Sequence, residues 1–421
     1  MSSSAVLNPA ITNLYGSLVG AFKAATTPAA PPPPGAIAWW LVLIFAVLLL
    51  GLLSWYFSKI QPYTESPTNI DRINKENTKA QKAYAEANPQ RKDLTTYMST
   101  LTDVTEDEKI LSNLYVSTVN AAGLYYPTKD GIASVEAGRT AVLAGARGFV
   151  FDIWPDLTAG GRFAPVIQFV EEGSKWRRSS LNRLSFATVL RGIVQETLEV
   201  PARPGSNDPV FFYLRFRDTP RPATFLGVMN ALRAICEQYR LPPSYNACNM
   251  QGNVASLKLS ELRKKIVVFS NIRTTGTGLD DYINVAPTNG IVVEKSWADV
   301  KTTQNDAAAR IAMQTDSMAN LLWLAPSSES NMAENNGIDV EIAQTAGVQF
   351  VAMNFWNRTT SLAAYMDKGR FGVSSFGMKS REVGRGERLR RTVERIAPPA
   401  APSPSVNVQG MSVGGGTAPR R

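Results

Sequence analysis

GARGFVFDIW, residues 145–154, is a run of apolar, β-branched and aromatic residues interrupted by a single carboxylate, Asp152. A short apolar run bounded by turn residues reads as a strand buried on both faces. Comparable runs recur at APVIQFV (164–170), PVFFYLRF (209–216), KKIVVFSNI (264–272), GIVVE (290–294) and VQFVAMNFW (348–356). Helical patterns lie between several of them, at SFATVLRGIVQETL (185–198), ATFLGVMNALRAICEQY (223–239) and NDAAARIAMQTDSMANLLWL (305–324). Strand followed by helix, repeated, predicts an α/β fold with a parallel sheet, closed into a TIM-like (β/α) barrel or doubly wound. The barrel is preferred because no glycine-rich phosphate loop opens a helix after the first strand, and Gly276 and Gly278 in RTTGTGLDD lack that setting. In a barrel the C-terminal strand ends carry the chemistry, so Asp152 stands where a catalytic residue would.

The 421 residues contain no histidine and two cysteines, Cys236 and Cys248. That excludes Ser-His-Asp and Cys-His catalysis and any imidazole general acid or base. Two cysteines without histidine make neither a disulfide framework nor a usual zinc site. Net charge is +9, from 44 basic and 35 acidic residues. This fits a solvated basic surface, or contact with phosphate or an anionic membrane face.

Residues 7–22 (LNPAITNLYGSLVGAF) place Leu7, Ile11, Leu14, Leu18 and Phe22 at helical spacing, and 26–35 form a proline-rich spacer. Residues 36–57, AIAWWLVLIFAVLLLGLLSWYF, hold 22 residues without charge or proline, enough to cross ~30 Å of hydrocarbon as a helix. Trp39 and Trp40 at one end and Trp55 and Tyr56 at the other form the aromatic belt such a segment uses. Residues 58–105 read as a polar stalk, 106–385 as the globular part, and 386–421 as a basic tail rich in Pro, Ser and Gly, expected to be disordered. Lys23 precedes the apolar segment, while Lys59, Arg72 and Lys75 follow it. The positive-inside rule then puts the globular part in the cytosol, or in its equivalent inside a virion with an internal membrane.

Five stretches, in order, resemble the catalytic X and Y halves of phosphoinositide-specific phospholipase C over roughly 110–380. AGARGFVFDIW resembles G-C-R-x-x-E-x-D-x-W, APVIQFV resembles P-x-I-x-H-G, and DPVFFYLRFRD resembles P-V-I-L-S-x-E-x-H. LSELRKKIVVF resembles L-x-G-K-I-L, and AGVQFVAMNFW with the later YMDKGRFG resembles G-x-Q-x-V-A-x-N-F followed by N-G-x-F. The resemblance implies a TIM-like barrel cleaving phosphodiesters with two histidines and a calcium ion. The matching positions are altered. STVN (117–120) has Val119 for the first histidine and keeps Asn120; the Glu-x-Asp pair becomes Val150 and Asp152. The second histidine falls at Phe169, the last calcium glutamate at Arg215 and the following histidine at Arg217.

Those residues lack the carboxylates that calcium requires and bases near neutral pKa. The expectation is a catalytically inactive, membrane-anchored barrel that needs no calcium and serves as a structural or adaptor protein. The alternatives are a phosphoinositide or other anion-binding module and a divergent phosphodiesterase. Arg215 and Arg217 lie two apart on one strand and face the same side; they form either an internal ion pair with Asp152 or an anion pocket. Lys175, Arg177 and Arg178 around Trp176 in GSKWRRSSLNR (173–183) read as a solvated loop or a contact for anionic lipid. Expected partners are the bilayer through 36–57 and proteins through the N-terminal segment, the barrel surface and the tail. No nucleic-acid module is recognisable.

Overall fold

The computed structural model describes residues 34–60, 67–87 and 105–383, the last with gaps at 106, 126–130, 157–163, 171–179, 202–204, 219, 250–251, 288–293, 327–337, 357–359, 367–370, 372–373 and 381–382. The predicted N-terminal helix, Lys175, Trp176, Arg177, Arg178 and the tail lie outside the described residues. The chain divides into two units, Met1–Gln61 and Pro62–Arg421. The first holds helix α1 (Pro34–Ile60), whose residues 39–54 are all exposed, from Trp39 at 75% to Leu53 at 40%. Among the described residues no helix is long and apolar enough to cross a membrane.

The second unit begins with α2 (Pro67–Ala87), inside the segment read as a polar stalk. Ile73, Ala80 and Tyr84, spaced by seven and four, share one helix face and pack into the globular core, where the Tyr84 ring meets Tyr125 edge-on at 5.4 Å. This stretch is therefore docked on the globular part.

Strands follow as β1 (Leu114–Val116), β2 (Thr118–Val119), β3 (Gly148–Pro155), β4 (Pro165–Ile167), β5 (Leu184–Ser185), β6 (Val210–Phe216), β7 (Ile266–Ser270), β8 (Glu294–Lys295), β9 (Trp323–Leu324), β10 (Phe350–Met353) and β11 (Phe376–Met378). Parallel pairings give the order β7-β6-β3-β2-β10-β9-β8. The sheet curls on itself: Phe211 of β6 meets Phe350 of β10 at 5.1 Å, and Phe269 of β7 meets Trp323 of β9 at 5.2 Å. The expected closed barrel is corrected in one respect. Among the described residues no backbone pairing joins β7 to β8; across this gap side chains run from β7 to β9 (Phe269–Trp323) and from β6 to β8 (Arg215–Glu294).

Alternation along each strand sorts side chains into two layers. Val150, Phe211, Tyr213, Val267, Phe269, Trp323, Phe350 and Ala352 fill the interior, with Trp323 stacked on Phe350 at 4.2 Å. Phe149, Phe151, Phe212, Leu214, Val268 and Val351 face outward into a second layer. That layer is covered by α3 (Val135–Leu143), α4 (Phe186–Val194) and α5 (Pro222–Cys236). Burial on both faces explains why the strands read as continuous apolar runs. Gly148 opens β3 because a Cβ there would collide with Thr118 Oγ1 of the neighbouring strand.

Two sequence expectations are corrected. APVIQFV yields only β4, antiparallel to the end of β3 and to β5, so it is a side hairpin and not a barrel stave. The helical reading of 305–324 runs too far: the helix ends at Asn320, Leu321 turns left-handed (φ 57°), and Trp323–Leu324 form β9. A two-residue strand with one inward side chain, Trp323, between outward Leu322 and Leu324 carries too little alternation to distinguish a strand from a helix end.

At the opposite end from the carboxyl ends of the strands, antiparallel β1 and β11 close the interior with Leu114, Val116 and Phe376. Lys379, next after β11, is fully buried; its Nζ donates to Ser317 Oγ at 3.2 Å and lies 6.0 Å from the Tyr115 ring centre. Burial lowers its ammonium from 10.5 to about 7. Between those two values the unfolded chain holds a proton that the folded chain has released, so stability rises with pH across the window, and the full burial cost acts below it. Thermal melts should therefore show a Tm that climbs from pH 7 to pH 9 in the native chain. In Lys379→Met the Tm should be higher at pH 7 and the climb flatter. A lower Tm for that variant at pH 7 would contradict this account of the buried amine.

Candidate functional site

The carboxyl ends of β2, β3, β6 and β10 bring four inward-facing polar side chains together. Register sets Asp152 of β3 beside Arg215 of β6, one parallel strand away. Asn120 follows β2 and Asn354 follows β10, both buried. Opposite them stands Glu294, the first residue of β8.

The Arg215 guanidinium organises these groups. Its Nε donates to Asp152 Oδ1 at 2.6 Å and its Nη2 to Asp152 Oδ2 at 3.1 Å. Nη2 also donates to Asn120 Oδ1 at 3.2 Å, and Nη1 donates to Glu294 Oε1 at 3.1 Å and to the Pro326 carbonyl at 3.2 Å. A guanidinium has five N–H donors, and each has an acceptor from this chain. Around this centre, Asn120 Nδ2 donates to Asn354 Oδ1 at 2.8 Å, Arg217 Nε donates to Asp152 Oδ1 at 2.9 Å, and the Tyr213 hydroxyl donates to Glu294 Oε2 at 2.6 Å. Ala121 and Asp218, which follow Asn120 and Arg217, hold left-handed backbone angles of φ 49° and 62°. They turn the chain out immediately after the inward residues.

The side chain of Arg215 is 2% exposed, Asp152 8%, Arg217 13% and Glu294 27%. Burial alone would push the Asp152 carboxyl up, but the charges and hydrogen bonds of Arg215 and Arg217 override it and hold the group at about 2. Burial opposes the Arg215 charge as well, and Asp152 and Glu294 together raise it above its ordinary value. The Tyr213 hydroxyl is raised by burial and then by Glu294. Two carboxylates face two guanidiniums, so the cluster is neutral overall.

Of the residues singled out from sequence, the structure brings together Asn120, Asp152, Arg215 and Arg217. Val150 lies in the interior one inward step below Asp152, and Val119 faces the outer layer. Phe169 is half-buried against the outer core, and its backbone N–H donates to Ser180 Oγ at 3.1 Å. Glu294, Tyr213 and Asn354 were not among the sequence candidates. GIVVE ends on an acid after an apolar run, the same signal that singled out Asp152. Tyr213 precedes Arg215 by two residues and shares its face.

Calcium, implied by the resemblance, does not fit these residues as they stand. It takes six to eight oxygens at 2.3–2.6 Å. Here the oxygens of Asp152, Glu294, Asn120 and Pro326 converge on a guanidinium. Among the described residues no three His, Cys, Asp or Glu cluster as a metal shell.

No protein-family model matches the chain, and no curated protein matches it. Among solved structures it is similar to PLC21 of L. pealei, at 16% identity and TM-score 0.49, covering 65% of this chain and 38% of that one. It is similar to PLC21 of S. officinalis at 17% identity and TM-score 0.46, covering 65% and 37%. It is also similar to a calcium-dependent phosphoinositol-specific phospholipase C from Pseudomonas sp in its apo form, at 8% identity and TM-score 0.41, covering 65% and 96%. The matched region thus spans well under two thirds of the length of either PLC21 chain. These are similarities of backbone arrangement, and no residue of the site is assigned from them.

Removing the acid at the centre leaves two buried guanidiniums short of an anion. Asp152→Asn should cost ~3–5 kcal/mol of stability, read by chemical denaturation. The sign of the pH dependence follows from a carboxyl held at about 2 against an ordinary 3.8. The native chain keeps this stabilisation above pH 4 and loses it as pH falls from 4 towards 2. Equal stability of variant and native chain at pH 7 would contradict the assigned role.

Proposed function

We propose that this chain is a membrane-anchored barrel of the phospholipase-C-like kind that is catalytically silent and acts as a structural or adaptor platform. One observation carries the reading: all five N–H donors of Arg215 are taken by Asp152, Asn120, Glu294 and the Pro326 carbonyl. A group so committed holds the strand ends together and has no donor left for a phosphate. A phosphoinositide pocket built on Arg215 would need one. A divergent phosphodiesterase would need a general base close to its working pH. Asp152, held at about 2, is a weak base at neutral pH.

The anchor rests on the charge-free segment 36–57 and on the exposed apolar side chains of α1. Such a helix, apolar on every side, suits hydrocarbon. The basic residues on its C-terminal side argue for a barrel on the cytosolic side, or inside a virion with an internal membrane.

Two measurements test the proposal. The full chain in detergent or vesicles should not turn over phosphatidylinositol or its phosphorylated forms, and millimolar calcium should not raise its Tm. Turnover that disappears in Asp152→Ala would overturn the silent-platform reading. Deleting 36–57 should move the protein from carbonate-washed membranes to the soluble fraction; persistence in the membranes would overturn the anchor.

A further inference from the structure

The shell around Arg215 has more definition than an ion pair requires. Five oxygens point at one planar cation: both of Asp152, one of Glu294, the Asn120 amide oxygen and the Pro326 carbonyl. Asn120 is held in turn by Asn354, and Glu294 by Tyr213, so these acceptors are positioned by other groups and not by Arg215 alone. The carboxylates of Asp152 and Glu294 balance Arg215 and Arg217. Without Arg215 the buried cluster carries one uncompensated negative charge, a costly state in a dry interior.

The size of the shell decides which cation it suits. N–H···O contacts of 2.6–3.2 Å lie beyond the C–N bonds of the guanidinium. The oxygens therefore stand roughly 4 Å from its central carbon. A calcium ion needs its oxygens at 2.3–2.6 Å. Bringing them in would require the ends of β2, β3, β8 and β9, which carry these oxygens, to move by more than 1 Å against a packed interior.

We infer that Asn120, Asp152, Glu294 and Pro326 form a built guanidinium site, occupied by the chain's own Arg215, which accepts a free planar guanidinium ion when that side chain is removed and rejects a hard divalent cation. This extends the silent-platform reading by naming what fills the site and which chemistry it selects. The resident cation is tethered, so the platform is independent of ion supply, whereas a calcium-bound barrel would lose its centre on chelation.

The test uses full-length Arg215→Ala in detergent, melted with methylguanidinium chloride, sodium chloride or calcium chloride at equal millimolar ionic strength. Methylguanidinium should raise the variant's Tm by roughly 2–4 °C over sodium chloride and leave the native chain unmoved. A rise with calcium and not with methylguanidinium, or no rise with either, would overturn the inference. Should the variant not fold, the native chain labelled with 15N-arginine decides. Arg215 should give separate, slowly exchanging Nε and Nη signals that millimolar calcium does not move; averaged or calcium-sensitive signals would overturn it. Turnover of inositol lipids bears on the silent-platform reading and leaves this site untouched, so the two failures remain distinct.

Discussion

One buried guanidinium ties this fold together at the end where barrel enzymes do their chemistry. Arg215 spans the interior, reaching Asp152 on the adjacent strand and Glu294 on the far edge of the sheet. Among the described residues no backbone pairing joins β7 to β8, so this side-chain bridge supplies a link that the hydrogen-bond ladder does not. A buried ion pair often adds little to stability when compared with an apolar replacement, because desolvation consumes the Coulombic gain. Its value lies in specificity: removing either partner strands a charge, so the strand ends are held in one arrangement.

The interior below explains why the guanidinium sits where it does. Trp323, Phe350, Phe211, Tyr213 and Phe269 pack ring against ring across the sheet, leaving polar side chains only the next inward positions up the strands. Strand period two then makes Val150 and Tyr213 part of the packed layer and sends Asp152 and Arg215 to the layer above it. With one aromatic layer below and the arginine filling the centre, the site is built as a closure. Fold alone does not decide between closure and catalysis, and the proposal of a closure rests on these side chains.

Much of this was legible from sequence, for identifiable reasons. Strands buried on both faces read as plain apolar runs, so β3, β6, β7 and β10 stood out, and the alternation in YLRFR put Arg215 and Arg217 on one face, with an ion pair to Asp152 as one of two readings. What was illegible depended on distant contacts. Trp323–Leu324 is a two-residue strand following a helix, and only its partners β8 and β10 make it one. Glu294 shared the local signal of Asp152, yet its role needs an arginine 79 positions away in the chain. Lys379 opens a basic stretch in the sequence and is buried in the fold, because β11 carries it beneath the barrel interior.

The central claim is that the site is permanently filled by its own side chain. The most direct measurement is an experimental structure of the full chain obtained with millimolar calcium and an inositol phosphate present. The account predicts Arg215 still bridging Asp152, Asn120 and Glu294, with neither ion nor phosphate between the carboxylates. An Arg215 side chain swung away, with calcium or phosphate bound in its place, would contradict it.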